Sequence, residues 1–378
     1  MKSVVYLDNS ATSMPCQKAI DNINNALCEN WGNPSSLHLM GLNAEIELSD
    51  ARRIVAKSIG ANDDEIFFTS GGTEANNIAI FGAAAARKKR GNRIVTTTIE
   101  HPSVLEPIKT LEAQGFEVIY LKPDKNGVVS ESDIYNAINE KTILVSIMLV
   151  NNEVGSIQPI KVAADAIKKT GAPALLHCDA VQAFGKLNIN VASLGVDLLS
   201  ASGHKIHASK GVGFLYKKKN VHIANLIYGG GQEKGLRSGT EALPLISGLK
   251  GAIEEIGNIN NNLSKITELR DYAINKLTQN ENIVINSAKN SLPYILNISV
   301  VGYRSETLLH FLEACDIYVS SGSACAKGHK SYVLNEIGLD AKRIDSALRI
   351  SFSRFSKKED IDKLYQALHK ACSILRKA

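Results

Sequence analysis

Short apolar runs alternate with amphipathic stretches between residues 65 and 216. The runs are rich in β-branched and aromatic residues and predict strands. They are EIFFTS (65–70), RIVTTTIE (93–100), FEVIYL (116–121), TILVSIMLV (142–150), ALLHCDAVQ (174–182), VDLLSASGHK (196–205) and GVGFLYKKK (211–219). Helical patterns lie between them; the first is expected to end at Gly91, and another runs from near Pro159 to Gly171. This alternation predicts an α/β fold with a mostly parallel sheet covered by helices on both faces.

The pattern changes near Ala242, where a long helical region begins and runs to about Asn280. A strand at 293–300, a helix from Arg304, a strand at 347–355 and a terminal helix from Lys358 follow. These elements predict a smaller α+β domain. We therefore expect a large domain of residues 14–250 and a small domain of residues 1–13 and 251–378, which carries a loop at about 320–332.

Composition and charge exclude several classes of protein. The 378 residues are 44% hydrophobic and 21% charged, which is typical of a soluble chain. The longest apolar run, at 142–150, is shorter than the ~20 residues that cross a bilayer, and no signal core begins the chain. We expect a cytoplasmic protein with no membrane partner.

The net charge of +5 is mild, and its densest basic run is RKKRGNR at 87–93. Cations are favourable at a helix C-terminus, so this run predicts a solvated helix end. A docking patch for RNA or for an acidic protein is the alternative interpretation. We expect no direct contact with nucleic acid.

The cysteines point to a reducing compartment, because no C-x-x-C pair and no zinc-type spacing occurs, and we expect no metal site. Cys178 and Cys315 lie in apolar surroundings and are expected to be packing residues. Cys325 differs, since it lies in SSGSACAKGHK among small polar residues and is followed by lysine and histidine. Nearby cations lower the pKa of a thiol and raise its reactivity.

Polar residues follow several of the predicted strands, where ligands bind in open α/β sheets. Gly72 and Thr73 lie between a strand and a helix N-terminus, where free backbone N–H groups favour a phosphate. His101 and Asn152 also follow strands. Each of these has an ordinary structural alternative: a Gly-Gly turn, a capping histidine and an asparagine turn.

Asp179 ends a buried strand, and a buried acid needs a cation or a strong donor. Lys205 follows the next strand, and desolvation there favours its neutral form, as a Schiff-base lysine requires. A hairpin with a surface lysine is the alternative. A phosphate cradle, a buried aspartate, such a lysine and a stacking histidine together are what pyridoxal 5′-phosphate (PLP) needs.

The chain resembles the cysteine desulfurases, which are fold-type I PLP-dependent transferases of the class-V aminotransferase family. The resemblance is to their NifS/IscS-like class and covers nearly the whole chain. The motifs that carry it, in family order, are YLDNSAT (6–12), FTSGGTEANN (68–77), EHPSV (100–104), VNNEVG (150–155), DAVQAFGK (179–186), SGHKIHASKGVG (202–213), GGGQEKGLRSGT (229–240) and SSGSAC (320–325).

The resemblance implies a role for individual residues. Lys205 would form the Schiff base, His101 would stack on the ring and act as acid or base, and Cys325 would take sulfur from L-cysteine. The further cofactor contacts that it implies are Asp179 at the pyridine nitrogen, Gln182 at the phenolic oxygen, Gly72, Thr73, Ser202 and His204 at the phosphate, and Thr240 at the phosphate of the other subunit of a homodimer. Asn152 and Arg349 would hold the substrate carboxylate.

The resemblance also implies L-alanine as the product and a Cys325 persulfide that passes to an acceptor protein, for iron–sulfur cluster assembly or tRNA thiolation. Two departures bear on that acceptor. The segment IHASKG after Lys205 lacks the aromatic-Gly-Pro pattern common in relatives, which leaves His207, Ala208 and Ser209 with an expected packing role. The loop after Cys325 is short, and we expect no long docking tail at the C-terminus.

Other functions remain open at this point. A selenocysteine lyase or another PLP-dependent β-eliminase would use the same cofactor residues, whereas an aminotransferase on this fold would not need Cys325. A sulfur carrier without PLP would need Cys325 alone. The set of Lys205, Asp179 and His101 argues against such a carrier.

Overall fold

A computed structural model describes residues 4–321 and 331–377, so Cys325 lies outside the described residues. The strands, in chain order, are β1 (Val5–Tyr6), β2 (Ile66–Thr69), β3 (Arg93–Thr97), β4 (Glu117–Leu121), β5 (Thr142–Met148), β6 (Leu175–Asp179), β7 (Leu198–Ser202), β8 (Gly213–Lys217), β9 (Ile283–Ile285), β10 (Ile295–Val300), β11 (Ile317–Tyr318), β12 (Ser320–Ser321) and β13 (Ala347–Ser351).

Helices connect these strands and cover them. They are α1 (Gln17–Cys28), α2 (Leu39–Ile59), α3 (Gly72–Arg87), α4 (Pro102–Ala113), α5 (Glu131–Ala137), α6 (Ile160–Thr170), α7 (Val191–Leu194), α8 (Leu243–Ile256), α9 (Ile259–Leu277), α10 (Ser305–Glu313), α11 (Tyr332–Glu336), α12 (Ala341–Asp345) and α13 (Lys358–Ile374). No helix of the described residues is long and apolar enough to cross a membrane.

A seven-stranded sheet in the order β2-β8-β7-β6-β5-β3-β4 forms the centre of the molecule. Its pairs are parallel except for those of β8, which runs antiparallel to both β2 and β7. The predicted mostly parallel sheet is therefore confirmed. Every residue of β5 is buried, as expected for a strand inside a parallel sheet.

Successive residues along the strands pack into different hydrophobic clusters on the two faces of this sheet. Leu144 and Leu175 pack with α3 and α4, whereas Val145 and Leu176 pack with α2, α6 and α8. This follows from the period-two alternation of side chains along a strand. It confirms the predicted helical layer on each face.

A second sheet, in the order β12-β13-β10-β9, is antiparallel and comes from the C-terminal part of the chain. The N-terminal strand β1 pairs with β11, and the backbone N–H of Ser351 donates to the carbonyl of Leu7 at 2.7 Å. The first residues therefore lie against the C-terminal part of the fold. The domain boundaries at residues 14 and 250 stay a prediction.

Three details of the sequence-based predictions are wrong. Helix α3 ends at Arg87, not at Gly91, and a Cβ at Gly91 would lie 2.2 Å from the carbonyl oxygen of Lys141. Gly91 thus permits a close approach of two backbones and is not a helix cap.

The helical region from 242 to 280 is two helices, interrupted at Gly257, whose φ is +66°. Cys315 is exposed in the turn after α10, whereas Cys178 is buried as expected.

Candidate active site

A cavity of about 430 Å³ lies at the carboxyl ends of the parallel strands, next to the second sheet. It brings together all the predicted site residues that the structure describes, apart from Thr240. Those residues are Gly72, Thr73, His101, Asn152, Asp179, Gln182, Ser202, His204, Lys205 and Arg349. Further lining residues that the sequence did not single out include Ser10, Ala11, Ser103, Glu153, Ser331 and Tyr332.

The N-terminus of α3 forms one end of the cavity. A Cβ at Gly72 would lie 2.6 Å from Cγ2 of Val181, so the close packing of this turn requires glycine. Ser202 at the end of β7 and His204 in the turn that follows lie beside it. A helix N-terminus with hydroxyl groups around it is suited to a phosphate. Burial, with help from Lys205, lowers the pKa of His204 to about 4, so this imidazole is neutral at pH 7.

Asp179 ends β6 and is held by donors that leave one direction open to the cavity. Its Oδ2 accepts from Nδ2 of Asn76 at 2.8 Å, and its Oδ1 accepts from the backbone N–H of Val181 at 2.9 Å. No ion pair to this carboxylate occurs among residues 4–321 and 331–377. A buried aspartate without a cation fits a cofactor that brings a protonated ring nitrogen. Asn76 lies within the motif FTSGGTEANN, but its contact across the sheet was not predictable.

His101 is the N-cap residue of α4 and also lines the cavity. Its Nδ1 accepts from the backbone N–H of Ser103 at 3.1 Å and lies 2.8 Å from the Ser103 Oγ. Burial lowers the pKa of His101, opposed by the charge of Asp179 and assisted by that of Lys205. The ring is therefore neutral, with its proton on Nε2. His101 therefore caps α4 and also lines the cavity, and its role at a cofactor stays a prediction.

Lys205 ends a single 3₁₀ turn, Gly203–Lys205, that directly follows β7. Its Nζ donates to the carbonyl oxygens of Ser10 and Ala11, at 2.7 Å each. The amide Nε2 of Gln182 donates to the same Ser10 carbonyl at 2.9 Å. The segment YLDNSAT therefore forms one wall of the site.

Arg349, on β13, brings the second sheet to the cavity. Its Nη2 pairs with Oδ1 of Asp8 at 2.9 Å, and its Nη1 donates to the carbonyl of Asn152 at 3.0 Å. Its Nε is buried without a partner, and so is Oδ1 of Asn152. A buried guanidinium with an unused donor fits a carboxylate ligand. Asp8 was missed, because no sequence pattern relates positions so far apart.

Two buried acids beside the cavity were also missed. Burial raises the pKa of Glu100 to about 8 and that of Glu153 to about 7. The Glu153 carboxylate accepts from the hydroxyl of Ser331 at 2.5 Å, and the Glu100 carbonyl accepts from the hydroxyl of Tyr332. These contacts attach the start of α11 to the site. Both acids lie in quoted motifs, but their burial carries no signal in the sequence.

Thr240 is exposed and lies outside the cavity of its own chain. It follows Arg237, whose Nε pairs at 2.8 Å with Oε1 of Glu74 in the first turn of α3. The segment around Thr240 is thus attached to α3, the helix whose N-terminus forms one end of the cavity. Cys325, the remaining predicted residue, lies outside the described residues.

Comparisons with known proteins agree with this geometry. Residues 5–364 match the family of class-V aminotransferases. The cysteine desulfurase IscS of Dictyoglomus turgidum is 40% identical over 381 residues, covering 100% of this chain and 96% of the relative. The corresponding IscS protein of Clostridium botulinum strain Hall is 42% identical over 377 residues, covering 98% of this chain and 94% of the relative.

Solved structures give the same result. A NifS-like protein superimposes with a TM-score of 0.94 at 37% identity, covering 98% of this chain and 100% of the other. The NifS-like protein from Rickettsia africae superimposes with a TM-score of 0.87 at 30% identity, covering 98% of this chain and 100% of the other. The resemblance therefore extends over the fold as well as the motifs.

Proposed function

The chain belongs to the class-V aminotransferase family and is a PLP-dependent cysteine desulfurase, and on this basis we propose which residues bind the cofactor and the substrate and which transfer protons and sulfur. The observation that carries the proposal is that Lys205, Asp179 and the N-terminus of α3 all line one cavity. PLP, when bound, supplies an electron sink for the α-carbon of the substrate. The residues around it bind, orient and move protons.

The cofactor is held at three places. Asp179 would keep the pyridine nitrogen protonated, which suits a carboxylate that has amide donors and no ion pair among the described residues. Gly72, Thr73, Ser202 and His204 would hold the phosphate, and Gln182 would donate to the phenolic oxygen. His101 would contribute a neutral ring whose Nε2 carries a proton.

Lys205 would hold the cofactor, and its amine would be the base that takes the proton from the substrate α-carbon. The carbonyl oxygens of Ser10 and Ala11 offer the released Nζ two acceptors inside the site. His101 then serves as the second proton-transfer group. A lysine and a neutral histidine in one cavity provide a base and an acid within reach of the same carbon.

The substrate L-cysteine is oriented by its carboxylate. Arg349 provides the guanidinium, and its unpartnered Nε is a buried donor available to an anion. Asn152 provides the second contact. Because Asp8 already neutralises part of the Arg349 charge, the site binds a single carboxylate without a large excess of positive charge.

Sulfur transfer is assigned to Cys325. Its thiolate attacks the sulfur of the bound cysteine, so that an S–S bond forms while the carbon–sulfur bond breaks. The electron pair of the broken bond stays on the carbon fragment, which takes up protons and leaves as alanine. The enzyme is left with a persulfide on Cys325, and no external oxidant is needed.

The experiment that tests this assignment compares Lys205→Ala and Cys325→Ser with the wild-type protein. We expect the wild type to bind PLP and to absorb in the visible range, and Lys205→Ala to lose that absorbance. Cys325→Ser is expected to keep the colour and to stop alanine release from cysteine. A colourless wild type would remove the cofactor assignment, and undiminished alanine release would remove Cys325 as the nucleophile.

We infer that the protein acts as a homodimer. Helix α2 buries one apolar face against the core but also exposes Leu39, Leu42 and Ile46 at helical spacing, and Trp31 and Leu37 lie exposed before it. These five residues form the α2 patch, and a patch of this kind marks an interaction surface. Helix α2 packs on α8, which begins just after Thr240. This arrangement supports a contact of Thr240 with the phosphate in the partner's site.

The sulfur acceptor is proposed to be an iron–sulfur scaffold protein or a tRNA-thiolation enzyme of the cytoplasm. A persulfide-transfer assay with labelled cysteine distinguishes these acceptors from a general thiol. We expect transfer to one protein acceptor to exceed transfer to a small thiol at equal concentration. Equal rates for both would contradict a dedicated acceptor.

A further inference from the structure

Lys186 is a second buried lysine behind the active site, and the assigned steps do not use it. It is only 6% exposed. Its Nζ donates to Oε1 of Gln182 at 3.1 Å and lies 5.9 Å from the centre of the Tyr294 ring. No carboxylate pairs with it in the part of the chain that the structure describes. A buried ammonium without an anion is unfavourable, so the burial of Lys186 calls for a physical reason.

The charged and titratable groups that face Lys186 make its position more unfavourable. They are Lys205, His204, His207, Tyr294, Arg349 and Arg354. Burial lowers the pKa of both histidines to about 4 and raises that of Tyr294 to about 12, so these three are neutral at pH 7. The remaining groups are Lys205 and two arginines, of which Arg349 pairs with Asp8 and Arg354 with Glu255. Burial, Lys205 and Arg349 together lower the pKa of Lys186 to about 7.

The contact with Gln182 fixes which end of that amide faces the active site. An ammonium group only donates, so it selects the amide oxygen. The Nε2 group is then directed away from Lys186, and it donates to the Ser10 carbonyl at 2.9 Å. That carbonyl also accepts from Nζ of Lys205 at 2.7 Å. The amide donor therefore lies at the position from which Lys205 reaches the cofactor.

The turn between the two residues is built for this contact. Gly185 has a φ of +71°, and a Cβ there would lie 2.8 Å from side-chain atoms of Ile206 and Ile256. Only glycine fits this close packing and this backbone conformation without strain. The turn brings Lys186 back toward Gln182, where a longer or looser connection would let the lysine reach solvent.

We propose that Lys186 is a positioning residue that locks the amide of Gln182 with its NH₂ group toward the cofactor, so that this group donates to the phenolic oxygen of PLP. The proposal rests on the cofactor contacts proposed above. Without Lys186 the contact of Nε2 with the Ser10 carbonyl alone holds the amide in this orientation, and rotation of the amide would place its oxygen against the negative phenolic oxygen. The negative charge of the bound cofactor would in turn favour the ammonium form of Lys186, whose pKa is about 7 without it.

The test is a pH titration of the visible absorbance of the PLP-loaded protein. It compares the wild type with Lys186→Met, Gln182→Met, the double variant and Tyr294→Phe. A donor at the phenolic oxygen stabilises the deprotonated chromophore. Loss of this donor therefore raises the pH at the midpoint of the absorbance change. We expect Lys186→Met and Gln182→Met each to raise the midpoint by roughly 0.5–1 unit, the size of one hydrogen bond. Tyr294→Phe, which alters the same small cavity without this donor, is expected to keep the wild-type midpoint.

The double variant decides whether Lys186 acts through Gln182. We expect Lys186→Met to add no further shift in the Gln182→Met background, because the amide is then absent. An equal additional shift would mean that the charge of Lys186 acts directly, and it would overturn the proposal. An unshifted midpoint in Lys186→Met would also overturn it. A wild type that binds no PLP would instead refute the proposed function.

The apoprotein gives a second readout that does not need the cofactor. Lys186 has a folded-state pKa near 7, below its ordinary value, so the unfolded chain binds more protons between these values. Stability of the wild type is therefore expected to gain a contribution as the pH rises above 7. Lys186→Met should fold and lack this contribution. The same pH dependence in both proteins would contradict a pKa of Lys186 lowered by burial.

Discussion

Single residues of this site act through contacts that join distant parts of the chain. Arg349 forms an ion pair with Asp8, Asp179 accepts a hydrogen bond from Asn76, and Lys205 donates one to the carbonyl of Ser10. The cavity residues at strand ends were predictable, because a parallel sheet gathers them at one edge. Their partners were not, because a contact between residues far apart in the chain leaves no periodic pattern in the sequence.

At this scale, Asp8→Asn tests the charge balance around Arg349. Removing the half-buried carboxylate leaves the Arg349 guanidinium without its ion-pair partner, so the site gains one positive charge. We expect the KM for cysteine to change severalfold while the bound PLP spectrum stays the same, since Asp8 is assigned no cofactor contact.

Arg349→Ala should raise the KM for cysteine by roughly ten- to a hundredfold, as the loss of a charged hydrogen bond predicts. An unchanged KM in Arg349→Ala would remove this arginine from the substrate site.

Glu100 gives a pH prediction for the apoprotein. Its folded-state pKa of about 8 lies above its ordinary value of 4.5, so the folded protein binds an extra proton between these pH values. Its contribution to stability is greatest below pH 4.5 and is lost as the pH rises through 8. Glu100→Gln should remove up to about 5 kcal/mol of this pH-dependent loss. Denaturant titrations at a series of pH values measure it, and parallel curves for the two proteins would contradict a pKa of Glu100 raised by burial.

Helix α11 is one of the secondary-structure elements that position the residues of the site, and its contacts link it to the proposed substrate-binding residues. The hydroxyl of Ser331 caps this helix at the N–H of Leu334 and also donates to the carboxylate of Glu153. Glu153 follows Asn152, which is assigned to the substrate. The helix that begins just after the segment carrying Cys325 is thus tied to the substrate loop.

The prediction for this element concerns the sulfur-transfer step. Glu153→Ala and Ser331→Ala should lower kcat for alanine release by about tenfold or more, because misplacement of a reacting group is costly. PLP content and KM should stay close to those of the wild type. Asn335→Ala, at an exposed position on α11, is the matched control and should have no effect. Loss of PLP together with activity would mean that Glu153 supports the cofactor site instead.

Some features of the secondary-structure elements could be predicted from the sequence and others could not, and the difference has a physical cause. Strands such as β5 were predictable because burial on both faces demands a continuous apolar run. The end of α3 was misplaced because Gly91 is needed for its contact with Lys141 and not as a cap. The buried acids Glu100 and Glu153 could not be predicted, because a charged residue in a sequence is ordinarily exposed.

The whole molecule is expected to function as a pair of chains. Thr240 lies outside its own cavity, and the α2 patch is apolar and exposed. A homodimer explains both features. A second copy of the chain would cover the α2 patch, and Thr240 would contact the phosphate site of that second copy. The fold as a whole was predictable from the sequence motifs, whereas the location of the α2 patch was not, since the same helix has a second apolar face in the core.

At this scale, the double substitution Leu39→Glu and Leu42→Glu should convert a dimer into a monomer. Both side chains are exposed in the single chain, so the substitutions should leave its fold intact. Sedimentation equilibrium measures the mass. We expect the monomer to bind PLP more weakly, because it lacks the partner's Thr240. A wild-type protein that sediments as a monomer would contradict the homodimer.

The most direct test of the account is the fate of the sulfur atom in one turnover. The PLP-loaded protein is mixed with one equivalent of cysteine, and the peptide that holds Cys325 is examined by mass spectrometry while alanine is measured. The account predicts that Cys325 gains one sulfur atom for each alanine released, and that Cys325→Ser releases no alanine. Alanine formed without sulfur on Cys325 would contradict it.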